Sequence, residues 1–319
     1  MAILVTGGLG HIGSYVACKL AEQGEKVIIM DEQAAQFDIL APDFLRNVRS
    51  QLVLEQGSVA DVDCVKSVFN RYKGVLTCVI HLAGLGGVDA FADSPHASVY
   101  LNVVGTLNVL EAARLSHVKR VVYVSSGAVY GQRSGVLREQ DGYQADDLYG
   151  VSKISGELLT LQYGETFGIE CCCARVYFVY GPGRMPSVMY PLYRAIFAPL
   201  EGKHFDMPDI RLDQKLDFTY IDDTAQGNVR ICAQSQLQRS AYNISSGQAV
   251  TIGEAAEAVR SLTGLRTVPL TGGRKELKRG APLDISLAMN ELQYRPNYAH
   301  FRAGISEYDK WIKAQGGKL

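Results

Sequence analysis

The sequence predicts an α/β protein built on a doubly wound parallel sheet, and two observations carry that prediction. Short, charge-poor apolar runs alternate with longer amphipathic stretches through the first half of the 319 residues. A glycine-rich turn joins the first of these runs to the first amphipathic stretch. Strands buried on both faces read as continuous apolar runs, and the strand–helix–strand alternation brings right-handed crossovers that cover both faces with helices. The predicted strands lie at 3–5, 27–30, 52–54, 79–82, 121–124 and 170–176, with helices between them at 13–23, 61–72 and 99–115. This is the pattern of a Rossmann-type sheet.

After Gly181-Pro182-Gly183 the texture changes. Residues 184–216 carry four of the ten prolines, and a helix is expected after the run Tyr220 to Asp223. Thr251 and Glu254 have capping-box spacing ahead of an apolar stretch, so another helix starts there. Residues 304–314 read as a last helix. The chain therefore divides into a nucleotide-binding domain, 1–176 plus about 214–240, and a smaller discontinuous C-terminal substrate lobe, 177–213 and 241–319.

Composition removes several function classes. Lys+Arg number 32 and Asp+Glu 33, a net charge of −1, so nothing electrostatic points to nucleic acid or an anionic membrane. No apolar run reaches the ~20 residues that span a bilayer, and the N-terminus reads as a strand without a basic leader. The seven cysteines form no C-x-x-C pair, and Cys171, Cys172 and Cys173 would alternate across a strand, so they make no metal site. Small buried thiols imply a reducing compartment, and a cytoplasmic protein is expected.

The glycine turn reads Thr6-Gly7-Gly8-Leu9-Gly10-His11-Ile12-Gly13. Without Cβ atoms the backbone can turn tightly, and a diphosphate can approach the free N–H groups of a helix N-terminus. Strand before, helix after and an acid downstream complete a dinucleotide fingerprint. The acid, Asp31, lies 18 residues past Gly13, where a carboxylate accepts ribose hydroxyls and repels a 2′-phosphate. NAD is therefore expected over NADP. Asp61 and Asn102 read as further cofactor-side candidates, with surface capping as the plainer alternative.

The strand at 121–124 ends in Ser125 and Ser126, and ligands of open α/β sheets gather at the carboxyl ends of strands. Tyr149 and Lys153 are four apart, on one helical face. A phenol near pKa 10 is a poor base at neutral pH, but a nearby ammonium group and a positive nicotinamide favour the phenolate. Tyr149 is expected to take the proton of a substrate hydroxyl while hydride leaves the same carbon. Ser126 would hold the oxygen, and Lys153 would also anchor the ribose. The six histidines are scattered, and His11 and His81 read as structural or backbone-contacting.

Taken together these residues resemble the extended short-chain dehydrogenase/reductases, in their NAD-dependent epimerase/dehydratase group. The resemblance runs from residue 1 to about 312, through TGGLGHIG (6–13), HLAG (81–84), NVVGTLNVLEAAR (102–114), SSGAVYG (125–131), YGVSK (149–153), YGPGR (180–184), DFTYIDD (217–223) and YNISSGQ (242–248). The stretch 81–131 resembles UDP-galactose 4-epimerases in particular. The resemblance implies catalytic roles for Ser126, Tyr149 and Lys153. It implies cofactor contacts from Gly7, Gly10, His11, Ile12, Gly13, Asp31, Ser58, Val59, Leu82, Ala83, Gly84 and Asn102, and from Tyr149 and Lys153 themselves. It also implies a homodimer joined through helices near 99–115 and 150–167.

Four departures fall on the substrate side. Phe178 stands where the family often has an asparagine, and Leu216 where nucleotide-sugar enzymes usually carry a diphosphate-clamping arginine. Gly86 replaces a lysine frequent in UDP-galactose 4-epimerases, and 209–213 replace a glycine-rich turn. Lys215 would point to the opposite side of an extended chain from Leu216. The remaining substrate-contact candidates are Tyr177, Arg184, Arg211 and Arg279. The expected function is NAD-dependent oxidation of a secondary alcohol on a sugar-like or polyhydroxy substrate. The alternatives are a nucleotide-sugar 4-epimerase or dehydratase that recycles NAD in each turnover, and a catalytically idle member of the fold.

Overall fold

A computed structural model describes residues 1–319 apart from 87–90, 92, 184–190, 204, 265–271, 278 and 316–319. Its centre is a seven-stranded sheet with the spatial order β7-β6-β5-β4-β1-β2-β3. The strands are β1 (Ala2–Thr6), β2 (Lys26–Asp31), β3 (Leu52–Gln56), β4 (Leu76–His81), β5 (Arg120–Ser126), β6 (Glu170–Val176) and β7 (Ala241–Ile244). All six pairings are parallel. Chain order reverses between β1 and β4, which opens the crevice at the strands' carboxyl ends where ligands of such sheets bind.

Helices cover both faces. One side is lined by α1 (His11–Glu22) and the other by α2 (Val62–Arg71). On the second face also lies α3, formed by Pro95–Val99, a π-helical stretch Tyr100–Val104 and Gly105–Leu115. The helix α4 (Leu148–Phe167) carries Tyr149 and Lys153. Helices α5 (Pro191–Phe197), α6 (Ile221–Ala233), α7 (Ile252–Thr263) and α8 (Phe301–Ala314) follow. The two faces hold separate apolar cores, one containing Val5, Leu20, Val27 and Ile29 and the other Leu4, Ile28, Val79 and Val109. Alternation of side chains along fully buried strands divides them in this way. A further core, rich in rings, gathers Tyr180, Phe197, Phe218, Phe301 and Tyr308 beyond the sheet.

Thr251 caps α7 as its spacing predicts: its hydroxyl accepts from Glu254 N at 3.0 Å while Glu254 Oε2 accepts from Thr251 N at 2.8 Å. One boundary moves. Residues 241–244, read from sequence as part of the smaller lobe, pair with β6 from Ala241↔Cys173 to Ile244↔Val176 and complete the sheet. The segment is only four residues long and follows a turn-rich stretch, so its apolar pattern gave too little signal. Two short ladders tie the second half together, Val179–Tyr180 with Thr219–Tyr220 and Lys215–Leu216 with Val250–Thr251.

Candidate active site

The glycine turn closes against the sheet by close backbone approach, with Gly7 N donating to Met30 O at 2.8 Å. Gly7 has φ +67, and a Cβ there would lie 2.9 Å from the Ala83 backbone. At Gly13 a Cβ would lie 2.1 Å from the Gly7 carbonyl oxygen. Gly10 enters α1 in extended conformation without a side-chain cap, so the first N–H groups of the helix face the turn. These are the conditions for seating a diphosphate. At the end of β2, Asp31 Oδ2 accepts from Leu9 N at 3.0 Å and Oδ1 from Gln33 N at 2.9 Å. The carboxylate is thereby fixed beside the glycine turn, with lone pairs left over for hydroxyls.

His11 and Ile12 hold the turn to the rest of the chain. His11 Nε2 lies 3.3 Å from Gly181 O, and desolvation pulls the imidazole down to about 4, so it stays neutral. Ile12 packs against both the sheet core and the ring-rich core. On the other flank, His81 bridges Thr6 Oγ1 at 2.7 Å and Thr106 Oγ1 at 3.0 Å. Burial, helped by the Lys153 charge, lowers this ring to about 3. Both rings are held by contacts within the protein.

Leu82, Ala83 and Gly84 leave β4 over the glycine turn, Ala83 N donating to Thr6 Oγ1 at 3.3 Å. Asn102 lies beside the loop after β4. Its side chain is buried and committed: Oδ1 accepts from Leu85 N at 2.8 Å, and Nδ2 donates to Leu85 O at 3.0 Å and Ser152 Oγ at 3.1 Å. It shapes the loop after β4 and ties it to α4. It lies in the π-helical stretch of α3, a local widening frequent at functional sites. Asp61 is a cap, accepting from Asp63 N and Cys64 N at 3.0 and 3.1 Å. Ser58 turns back to its own loop, accepting from Ala60 N at 3.2 Å, and Val59 is buried against Gly105.

The reaction centre joins three elements. Ser126 ends β5, pairs with Val176 of β6, and accepts from Ala128 N through Oγ at 3.1 Å. Gly150, in the first turn of α4, packs on that same turn: a Cβ there would be 2.9 Å from Ala128 O. The residue before Gly150 is Tyr149, whose half-buried ring meets Phe91 edge-on at 5.7 Å. One turn on, Lys153 is buried and donates to Val124 O of β5 at 2.9 Å. Desolvation lowers it to about 8, with the Glu157 carboxylate working in the other direction. Glu157 is fully buried and holds Arg175 of β6 in a two-pronged ion pair with contacts of 2.7 to 3.2 Å.

The substrate-side candidates fare differently. Arg279, expected to meet substrate, is held by two carboxylates: it donates to Asp146 Oδ1 through Nε and a terminal nitrogen at 3.0 and 2.6 Å, and also to Asp147. Asp147 is the N-cap of α4, accepting from Gly150 N at 2.7 Å. Arg279 thus anchors the helix that carries Tyr149. Arg211 is exposed and paired with its near neighbour Asp213. Neither is a free anion clamp: Asp213 stands two residues from Arg211, and distant Asp146 and Asp147 hold Arg279. Tyr177 is buried, its ring filling the space a Cβ on Gly127 would take. Leu216 is buried in the ring-rich core while Lys215 is exposed, the alternation expected of a strand. Arg184 lies outside the described residues. Sequence reasoning missed Glu157 and Tyr123; the i, i+4, i+8 register of Tyr149, Lys153 and Glu157 was the available signal for the first.

With this geometry in place, comparison with known proteins is decisive for kinship. A profile of the GDP-mannose 4,6-dehydratase family matches residues 4–310. The chain belongs to that family. It is thereby a member of the extended short-chain dehydrogenase/reductases, in their epimerase/dehydratase group. UDP-glucuronate 4-epimerase 6 of Arabidopsis thaliana is 26% identical over 98% of this chain and 71% of its own. GDP-mannose 3,5-epimerase 1 of Oryza sativa subsp. indica is 30% identical, with 99% and 82% covered. The solved structure of MoeE5 in complex with UDP-glucuronic acid and NAD superposes with a TM-score of 0.83 at 28% identity, covering 99% of this chain and 100% of that one.

Proposed function

We propose that this protein is an NAD-dependent enzyme that oxidises a secondary alcohol of a sugar-like substrate, with Tyr149 as the base. The observation that carries this reading is the docking of the first turn of α4 on the Ser126–Ala128 turn. It brings the phenol-bearing helix face to the carboxyl end of β5, beside the glycine cradle. The residues fit the cofactor. Gly7 and Gly13 let the turn close where a Cβ would strike backbone, α1 turns its first N–H groups towards that turn, and Asp31 offers acceptors for the adenosine ribose. NAD, when bound, supplies the hydride acceptor. Tyr149 then removes the substrate hydroxyl proton, Ser126 orients that oxygen, and the Lys153 ammonium favours the phenolate. In the same reading residues 177–213 and much of the chain after β7 form the substrate lobe.

Two observations bear on the substrate. Arg211 and Arg279 are neutralised by acids and Leu216 is buried, which favours a polyhydroxy compound without a diphosphate. The second reading, a nucleotide-sugar epimerase or dehydratase with NAD recycled, is supported by the relatives' names. Incubation with NAD and a panel of free and UDP- or GDP-linked sugars separates them. Accumulating NADH with free sugars supports oxidation, whereas isomerised nucleotide-sugar without NADH supports the second reading. No conversion of any sugar overturns both.

The same reading places the protein in the cytoplasm as a homodimer. Its seven cysteines are free thiols, as a reducing compartment requires, and no helix among the described residues is long and apolar enough to cross a membrane. Tyr100 and Leu107 of α3 and Val151 and Leu158 of α4 are exposed apolar side chains at seven-residue spacing. A second copy of this face would cover them. Light scattering that gives only monomer at micromolar concentration contradicts the dimer.

A further inference from the structure

We propose that Tyr123 is a positioning residue for this reaction: the face of its ring seats the Lys153 ammonium group and keeps it charged inside the protein. The inference rests on the NAD-dependent oxidation reading for its consequence, though not for its geometry. Lys153 Nζ lies 5.0 Å from the centre of the Tyr123 ring and donates to the carbonyl of the next residue, Val124, at 2.9 Å. One strand thus supplies a buried cation with both a hydrogen-bond acceptor and a π face. An ammonium group away from water gains more from a ring quadrupole than an exposed one does.

The ring is itself held in place. His81 of β4 meets it at 5.8 Å. On the α4 side it abuts Gly156, where a Cβ would lie 2.2 Å from the Tyr123 oxygen and 2.4 Å from Cζ. Among the described residues the buried Tyr123 hydroxyl makes no hydrogen bond of good geometry, though Thr106 lies beside it, and it is the ring that faces the ammonium group.

The groups facing Lys153 account for its balance. His81 on β4 is kept neutral, and burial holds the Cys173 thiol of β6 well above its ordinary value. Glu157, one turn along α4, favours the ammonium while sharing its charge with Arg175 of β6. Tyr149 lies one turn the other way. Burial opposes Glu157 and leaves the lysine near neutrality, so loss of the ring tips it towards the uncharged amine. An uncharged Lys153 no longer favours the Tyr149 phenolate.

The test reads the lysine directly and then the reaction. In protein carrying 13Cε-lysine, the NMR signal of Lys153, assigned by its loss in Lys153→Met, is titrated in wild type, Tyr123→Phe, Tyr123→Leu and Gly156→Ala. Tyr123→Leu is expected to lower the lysine titration by about one pH unit, and Tyr123→Phe to leave it in place. Gly156→Ala, which displaces the ring, shifts it in the same direction, and adding it to Tyr123→Leu shifts it no further. In turnover with NAD and an oxidisable sugar, Tyr123→Leu lowers kcat about tenfold, with the acid limb of its pH profile at lower pH, because the shared proton leaves the lysine first. Tyr123→Phe rescues both. An unmoved titration in both Tyr123→Leu and Gly156→Ala overturns the inference, as does a Tyr123→Phe as impaired as Tyr123→Leu. If Tyr123→Leu does not fold, Gly156→Ala decides alone. A shifted lysine in a protein that oxidises no sugar instead overturns the functional reading and leaves the seat intact.

Discussion

The two sides of the crevice are made from different kinds of sequence. On the cofactor side the turn itself is local: eight consecutive residues, 6–13, carry it and Gly13 closes against Gly7, while Asp31 and Ala83 are brought to it from other strands. On the substrate side the decisive contacts are long-range. Arg279 meets acids more than 130 residues earlier, and Phe178, at φ +34, bridges the ring-rich core to the cluster around Tyr177. Local geometry survives sequence drift as a motif. Long-range charge pairing leaves no such trace, and a motif-matched arginine can be found already occupied.

Breaking the cofactor side should therefore abolish function outright, while breaking the substrate side should mostly change stability and selectivity. The largest effect is expected at the junction of the two: Tyr149→Phe lowers turnover about 1000-fold, followed as NADH formation, with NAD affinity by calorimetry little changed. Activity surviving that change would move the base elsewhere. Next, Gly13→Ala drives a Cβ into the Gly7 carbonyl. It should cost roughly 1–3 kcal/mol of stability and most NAD binding.

Arg279→Leu leaves Asp146 and Asp147 without their cation, and a loss of about 2–3 kcal/mol is expected in denaturant unfolding. Arg211→Ala, at an exposed pair, should leave the denaturant midpoint almost unmoved. Equal effects at the two arginines would erase the distinction drawn between them. The smallest effect sharpens cofactor choice: Asp31→Ser should narrow the preference for NAD over NADP, read as the ratio of the two kcat/KM values.

Acid tests the flank that His81 supports. Its folded pKa, about 3, lies below the ordinary 6.5, so the unfolded chain binds the proton first as pH falls. His81 then costs stability below about pH 6.5, by up to about 1.4 kcal/mol per pH unit until the folded ring titrates. Melting between pH 7 and 4 should show that slope reduced in His81→Gln.

The central sheet was legible because strands buried on both faces are apolar throughout, and the glycine turn because its geometry forbids side chains. Tyr149 and Lys153 were legible as a four-residue spacing. The partners of Asn102 were not legible, because nothing in a sequence reveals that an amide bonds to Leu85 and Ser152. The acids that hold Arg279 were hidden for the same reason, whereas Asp213 stood only two residues from Arg211. Tyr123 was invisible, since a ring under a lysine on another element has no spacing rule. The edge strand β7 was too short to announce itself.

That last strand has a consequence for how the molecule is made. Its Asn243 takes a hydrogen bond from Tyr130 and gives others to the carbonyls of Leu137 and Asp284, and its backbone covers the rim of β6. Until the ribosome has released residue 244, β6 is an open edge, ready to pair with any extended peptide. A nascent or truncated chain ending before Ala241 would present that rim to its neighbours, and aggregation during synthesis is the failure such a molecule would meet first.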